Sequence, residues 1–139
     1  IVSNCVLNLV PNKKNVIAEI YRTLKPGGHF SISDIVLVGE LPDALRKDAE
    51  LYAGCVAGAI QKQDYLELIR QQGFTGVTLQ KEKTIELPRD LLTKYLAEPE
   101  IDQFENGDIG IYSITVYGEK PGEKPVAKPL PVMTSKKCC

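Results

Sequence analysis

Two apolar runs joined by one amphipathic stretch constrain this chain most. Residues Ile1–Val10 open on β-branched residues with no lead-in and stop at Pro11-Asn12, a strong terminator of regular structure. Asn12 is a good helix N-cap, because its side-chain oxygen accepts from a free backbone N–H. Val16, Ile17, Ile20, Tyr21 and Leu24 then follow at helical spacing, with Lys13, Lys14, Glu19 and Arg22 off the stripe. Pro26-Gly27-Gly28 ends that helix. From His29 to Leu37 the chain thickens into a second apolar run through Phe30, Ile32, Ile35, Val36 and Leu37. Strand, helix and strand with short joints form a parallel crossover unit, so the expectation is an α/β fold with Ile1–Val10 as a buried strand.

The remainder adds helices and then strands. Leu41-Pro42 opens a helical stretch in which Leu45, Asp48, Tyr52, Cys55 and Val56 share a face. Glycine and alanine are dense from Ala53 to Ala59, where small residues admit another backbone or a ligand. A further helix is predicted from about Asp64 to Gln72, closed by Gly73. Val77–Leu87 reads as a solvent-facing strand, Pro88 as the start of a short helix through Leu96, and Glu98–Asp108 as a polar loop. Gly110–Gly118 is β-rich, and the last two strands are expected to pair antiparallel at one edge. From Glu119 onward Lys-Pro pairs recur every four residues at Lys120, Lys124 and Lys128, the mark of an extended tail that delivers Cys138-Cys139 to solvent. The chain therefore divides into residues 1–118, one portion of a domain, and 119–139, a tail. A central parallel strand needs neighbours on both sides, and Ile1–Val10 has none upstream; residues 1–118 thus read as the C-terminal part of a longer domain.

Charge and cysteine usage narrow the function classes. With 17 basic and 18 acidic residues the net charge is −1, which argues against nucleic acid or an anionic membrane as partner. No apolar run approaches the roughly 18 residues of a membrane span. The four cysteines, Cys5, Cys55, Cys138 and Cys139, are not spaced as a disulfide scaffold, so the expected setting is cytoplasmic with reduced thiols. Zinc is disfavoured, because there is no Cys-x₂-Cys pair and a single histidine. On the residues alone, Cys5 and Cys55 are either small buried hydrophobes or thiol ligands. Asp34 lines a pocket at the end of its strand or caps the next turn, the Tyr52 ring walls a pocket or packs in the core, and His29 is a surface residue.

Leu24-Lys25-Pro26-Gly27-Gly28 ahead of a strand resembles the late motif of class I S-adenosylmethionine-dependent methyltransferases. Three further stretches narrow the likeness: Ser3-Asn4-Cys5-Val6-Leu7-Asn8-Leu9, Ser33-Asp34-Ile35-Val36, and Tyr52-Ala53-Gly54-Cys55-Val56-Ala57-Gly58-Ala59. With Tyr65-Leu66 and Gly73-Phe74, they resemble the arsenite methyltransferase family from residue 1 to about 118. The resemblance implies a Rossmann-like class I methyltransferase sheet, mixed, with an antiparallel edge strand, of which this chain supplies the fourth strand onward. The family's glycine-rich cofactor loop and ribose-binding acid belong to its first half, and no G-x-G-x-x-G stands here. By the same resemblance Cys5 and Cys55 are the catalytic, arsenic-binding thiols, with a third from that first half. Asn4 and Val6, which flank Cys5, are then contacts for S-adenosylmethionine, although Asn4 alone reads equally as a turn residue. The implied activity is methyl transfer from S-adenosylmethionine to thiolate-bound trivalent arsenic, presented free or as a thiol conjugate, with a thiol reductant. Two alternatives stay open: a class I methyltransferase of a small organic substrate, and a thiol-based metalloid binder that transfers no methyl. Cys138-Cys139 is read as an accessory arsenic or redox pair, an idle tail, or a site of double lipidation.

Overall fold

Residues 1–123 are described by the computed structural model, apart from the side chains of Tyr52 and Ala53. Strand β1 is Val2–Asn4, followed by a 3₁₀ turn at Leu7–Leu9, helix α1 at Lys13–Thr23 and strand β2 at His29–Val38. Helices α2 (Asp43–Ala53) and α3 (Lys62–Gln71) precede β3 (Thr75–Thr84), and α4 (Arg89–Tyr95) and α5 (Glu98–Asn106) precede β4 (Gly110–Glu119). As expected from its side-chain oxygen, Asn12 caps α1 by accepting from the Asn15 N–H at 3.1 Å. The sheet order is β1-β2-β4-β3, with β1 parallel to β2 and β4 antiparallel to both its neighbours. The last strand in sequence thus lies inside the sheet, and β3 forms the edge.

Alternation along β2 builds a core on each face. Phe30, Ile32 and Val36 pack with Ile17 of α1, Tyr65 and Ile69 of α3, and Ile114 and Val116 of β4. Ile35 and Leu37 point the other way, onto Leu45 and Ala49 of α2, Leu92 of α4, and Ile101 and Phe104 of α5. Helices therefore cover both faces, the arrangement expected of an α/β sheet. Burying each large apolar side chain stabilises the fold by about 1.5–3 kcal/mol.

Three expectations are corrected. Residues 1–10 are not one buried strand: pairing ends at Asn4, the chain then coils into the 3₁₀ turn, and Val2 is 86% exposed because β1 has β2 as its one neighbour. Glu98–Asp108 is not a loop but mostly α5. The Glu100 carboxylate accepts from the free Ala97 N–H at 2.8 Å, Gly107 ends the helix at φ 85°, and Ile101 and Phe104, three apart, face the core. A short one-sided helix needs only those two apolar positions, so its polar face dominated the reading. Finally, α2 stops at Ala53, so Cys55 and Val56 lie in the loop beyond it and not on a helical face.

The tail begins on the body of the fold. Lys120 N–H donates to Gly28 O at 2.8 Å, Gly27 N–H donates to Lys120 O at 2.9 Å, and Lys120 Nζ reaches the α1-terminal carbonyls of Tyr21 and Leu24 at 2.7 and 2.9 Å. The Lys124 and Lys128 repeats and Cys138-Cys139 lie outside the described residues. Among the described residues no helix is long and apolar enough to cross a membrane.

Candidate active site: a thiol pair at the end of the first strand

The outer edge of β2 is longer than β1, and three separate segments complete it. Ser31 N–H donates to Ile1 O and Cys5 N–H donates to Ser33 O, both at 2.8 Å, which continues β1 by one rung. The Asn8 side chain takes the next position, its Nδ2 donating to Ile35 O at 2.7 Å. Above it Leu37 N–H donates to Ile60 O at 2.9 Å, and Leu37 bridges Gln61 in parallel register. The loop after α2 is thereby drawn back onto the same edge that β1 leaves. That edge lies at the carboxyl end of β1, where open α/β sheets place their ligands.

This arrangement brings Cys5 and Cys55 together. Cys55 Sγ donates to Cys5 O at 3.4 Å, and both thiols are free and partly buried. Cys5 has φ 53° and Cys55 φ 66°, and no other non-glycine residue has positive φ among the described residues. A left-handed conformation costs a residue with a Cβ about 1–2 kcal/mol, and such strain concentrates at functional sites. Burial, then the Cys55 thiol and the Asp34 carboxyl, push the Cys5 thiol above its ordinary value.

Of the other sequence candidates, Asn4, Val6 and Asp34 lie near the pair. Asn4 and Val6 stand exposed beside Cys5, Val6 at 50%. Asp34 lies in the middle of β2 and neither ends the strand nor caps a turn. It is fully buried, Tyr65 Oη donates to its Oδ2 at 3.2 Å, and Oδ1 has no hydrogen-bond partner. Burial raises its pKa, opposed first by the Tyr65 hydroxyl that donates to it. His29 is exposed and rests on the Tyr117 ring at 5.4 Å. The Tyr52 side chain and Cys138-Cys139 lie outside the described residues. Gly58 falls in the small-residue stretch from Ala53 to Ala59 that is expected to admit another backbone or a ligand, and that backbone is Asn8. The sequence does not name Asn8 as the partner, since no residue type announces a contact across fifty positions.

Two clefts lie elsewhere. One of about 590 Å³ opens beside Ile1, Leu24 and His29, at the opposite end of β2. Another, of about 380 Å³, is lined by Leu87, Arg89 and Phe104, and its Arg89 is already paired with Glu98 and Glu105. Neither lining holds a thiol. Among the described residues no group of three or more His, Cys, Asp or Glu is placed to hold a metal ion. What the site offers is two soft sulfurs on adjoining loops, suited to a thiophilic centre.

A family profile described as "Methyltransferase domain" matches residues 1–73, more than half of the 139. The chain belongs to this methyltransferase-domain family. Within it, the chain is related to arsenite methyltransferases. It is 40% identical to one from Aquipseudomonas alcaligenes over 115 residues, 83% of this chain and 30% of that protein. It is 35% identical to another from Halobacterium salinarum over 123 residues, 87% of this chain and 29% of that protein. Among solved structures it resembles CrArsM, an arsenic(III) S-adenosylmethionine methyltransferase from Chlamydomonas reinhardtii, with TM-score 0.60 and 33% identity, over 89% of this chain and 37% of that one. This methyltransferase-domain chain thus spans about 30% of the length of the curated relatives it matches.

Proposed function

We propose that this chain is the arsenic-holding part of an arsenite methyltransferase, in which Cys5 and Cys55 bind trivalent arsenic for methylation by S-adenosylmethionine. The observation that carries the proposal is the meeting of the two thiol loops, with Cys55 Sγ 3.4 Å from Cys5 O and both cysteines in strained left-handed conformations. The arsenite methyltransferases of similar sequence support the substrate.

The chemistry follows from soft sulfur and a lone pair. As each cysteine binds an arsenic hydroxide, an S–As bond forms, an As–O bond breaks, and the thiol proton leaves with the hydroxide as water. A raised Cys5 pKa is compatible with this exchange, because its proton departs with the leaving group. Two sulfurs from this chain and a third from outside the described residues complete a pyramid whose apex is the arsenic lone pair. That lone pair is the nucleophile, so no general base is required, and the role of the thiols is to aim it. S-adenosylmethionine, when bound, supplies the electrophilic methyl. Asn4 and Val6, exposed at the carboxyl end of β1 beside Cys5, fit the edge of such a group. Methyl transfer to the lone pair would release S-adenosylhomocysteine and raise arsenic formally from the trivalent to the pentavalent state. Two thiols of a reductant would return it to the trivalent state by giving up two electrons and forming a disulfide. Free arsenite and a thiol conjugate both present exchangeable ligands to this pair, and reduced thiols suit a cytoplasmic setting.

The test uses the whole chain carrying Cys138→Ser and Cys139→Ser, titrated with phenylarsenoxide, which takes two sulfurs. One equivalent should bind, and Cys5→Ser or Cys55→Ser should each weaken binding by at least about tenfold, since a single sulfur forfeits the chelate advantage. A folded chain that binds nothing would sink the arsenic reading and favour a methyltransferase of a small organic substrate.

A further inference from the structure

Asn8 is almost fully buried, at 6% exposure, and one of its polar atoms is matched while the other is not. Its Nδ2 donates to Ile35 O at 2.7 Å, whereas its Oδ1 has no hydrogen-bond partner. Because β1 pairs only as far as Asn4, Ile35 O would otherwise lack a donor from this edge. An apolar residue would leave that carbonyl open, and a buried side-chain acceptor without a donor destabilises a fold, so neither feature describes a residue chosen for packing alone.

The backbone of Asn8 is also the seat of the second thiol loop. A Cβ on Gly58 would stand 1.9 Å from Asn8 O and 2.8 Å from Asn8 C, so the loop sits this low only because residue 58 is glycine. Asn8 lies three residues after Cys5, and Gly58 three residues after Cys55. The two loops therefore touch at two places: Gly58 on Asn8 O, and Cys55 Sγ on Cys5 O at 3.4 Å. One contact leaves two loops free to swivel; two contacts fix their relative orientation.

We propose that Asn8 and Gly58 are positioning residues that set the separation of the Cys5 and Cys55 sulfurs for a single arsenic atom. Asn8 pins its loop to β2 through Ile35 O, and Gly58 seats the Cys55 loop against it. The inference rests on the thiol pair being the arsenic site and names what holds that pair in register. A two-sulfur chelate tolerates little error in sulfur spacing, so displacing either loop by about 1 Å should cost one to two orders of magnitude in affinity.

The experiment compares Gly58→Ala and Asn8→Asp with the parent, all on the whole chain carrying Cys138→Ser and Cys139→Ser. Asn8→Asp keeps the shape and replaces the N–H donor with an oxygen. Phenylarsenoxide affinity is read alongside iodoacetamide alkylation of each cysteine and the thermal unfolding transition. Affinity should fall at least about tenfold in both variants, while both cysteines still alkylate and unfolding stays cooperative. Those two controls separate placement from folding, since a purely structural role would move them together with affinity. If the parent binds and the folded variants bind equally well, this inference fails and the arsenic reading survives. If the folded parent does not bind, both fall. Should one variant lose its cooperative transition, the other decides; loss in both overturns the proposal, because the two residues would then serve stability.

Discussion

Cys5 carries a proton more tightly than an ordinary thiol, and the physical cause is local: burial first, then the Cys55 thiol, then the Asp34 carboxyl. The sign has a direct consequence. An acid whose pKa is raised keeps its neutral form to higher pH, so at neutral pH Cys5 holds less thiolate than a free cysteine. In the chain with Cys138→Ser and Cys139→Ser, alkylation of Cys5 should rise at a higher pH than that of a free cysteine. Adding Cys55→Ser should shift that profile to lower pH, because it removes the neighbouring sulfur whose interaction opposes ionisation of Cys5. A profile that ignores Cys55 would mean that the two thiols are not coupled. Both cysteines were recognisable in the sequence as candidates, because the affinity of sulfur for soft centres belongs to the residue type. Their meeting was not: the small residues from Ala53 to Ala59 signalled a close approach, but no local pattern named Asn8 as the backbone that Gly58 meets.

Helix α5 shows the same divide one level up. Residues with strong alternation or a full apolar stripe were legible as elements, β2 and β4 among them, although their pairing from His29 with Glu119 to Val38 with Gly110 was not. In α5 the stripe is reduced to Ile101 and Phe104, and Glu98, Glu100, Asp102, Gln103 and Glu105 surround it. The core supplies what the stripe lacks, by placing both residues against Leu92 and Ile111 in one cluster. Phe104→Ala should therefore lower unfolding free energy by about 3–5 kcal/mol in a denaturant titration. A residue in a solvated polar loop would lose about 0.5 kcal/mol or less. The Cys55 stretch failed in the opposite direction. Its apolar spacing suggested a helix, but Gly54 closes α2 and Cys55 adopts φ 66°, which a continuing right-handed helix does not permit.

Across the whole molecule the two edges of the sheet differ in character. The exposed edge strand β3 carries Lys81, Glu82 and Lys83, charges that discourage pairing with another chain. The opposite edge, β1, presents Ile1 at 46% and Val2 at 86% exposure, with Val6 and Leu9 beside them at 50% and 70%. An apolar strand with one free edge is a template for association, so this chain should self-associate with rising concentration. Val2→Lys should reduce that association in sedimentation velocity without altering the unfolding midpoint appreciably. Equal association in the variant would show that β1 is not the contact.

The sequence by itself determined the α/β class, the crossover from β1 to β2 and the Asn12 cap. Each of these rests on short-range physics: apolar periodicity, turn chemistry, and the hydrogen bonding of a side chain. The tertiary structure alone decided that β4 enters between β2 and β3, that β1 ends after three residues, and that Asn8 and Ile60 finish the edge it leaves. Those outcomes turn on which distant backbone groups find partners once both faces of the sheet are covered. Hydrogen bonds between remote segments leave no periodic trace in the chain that makes them.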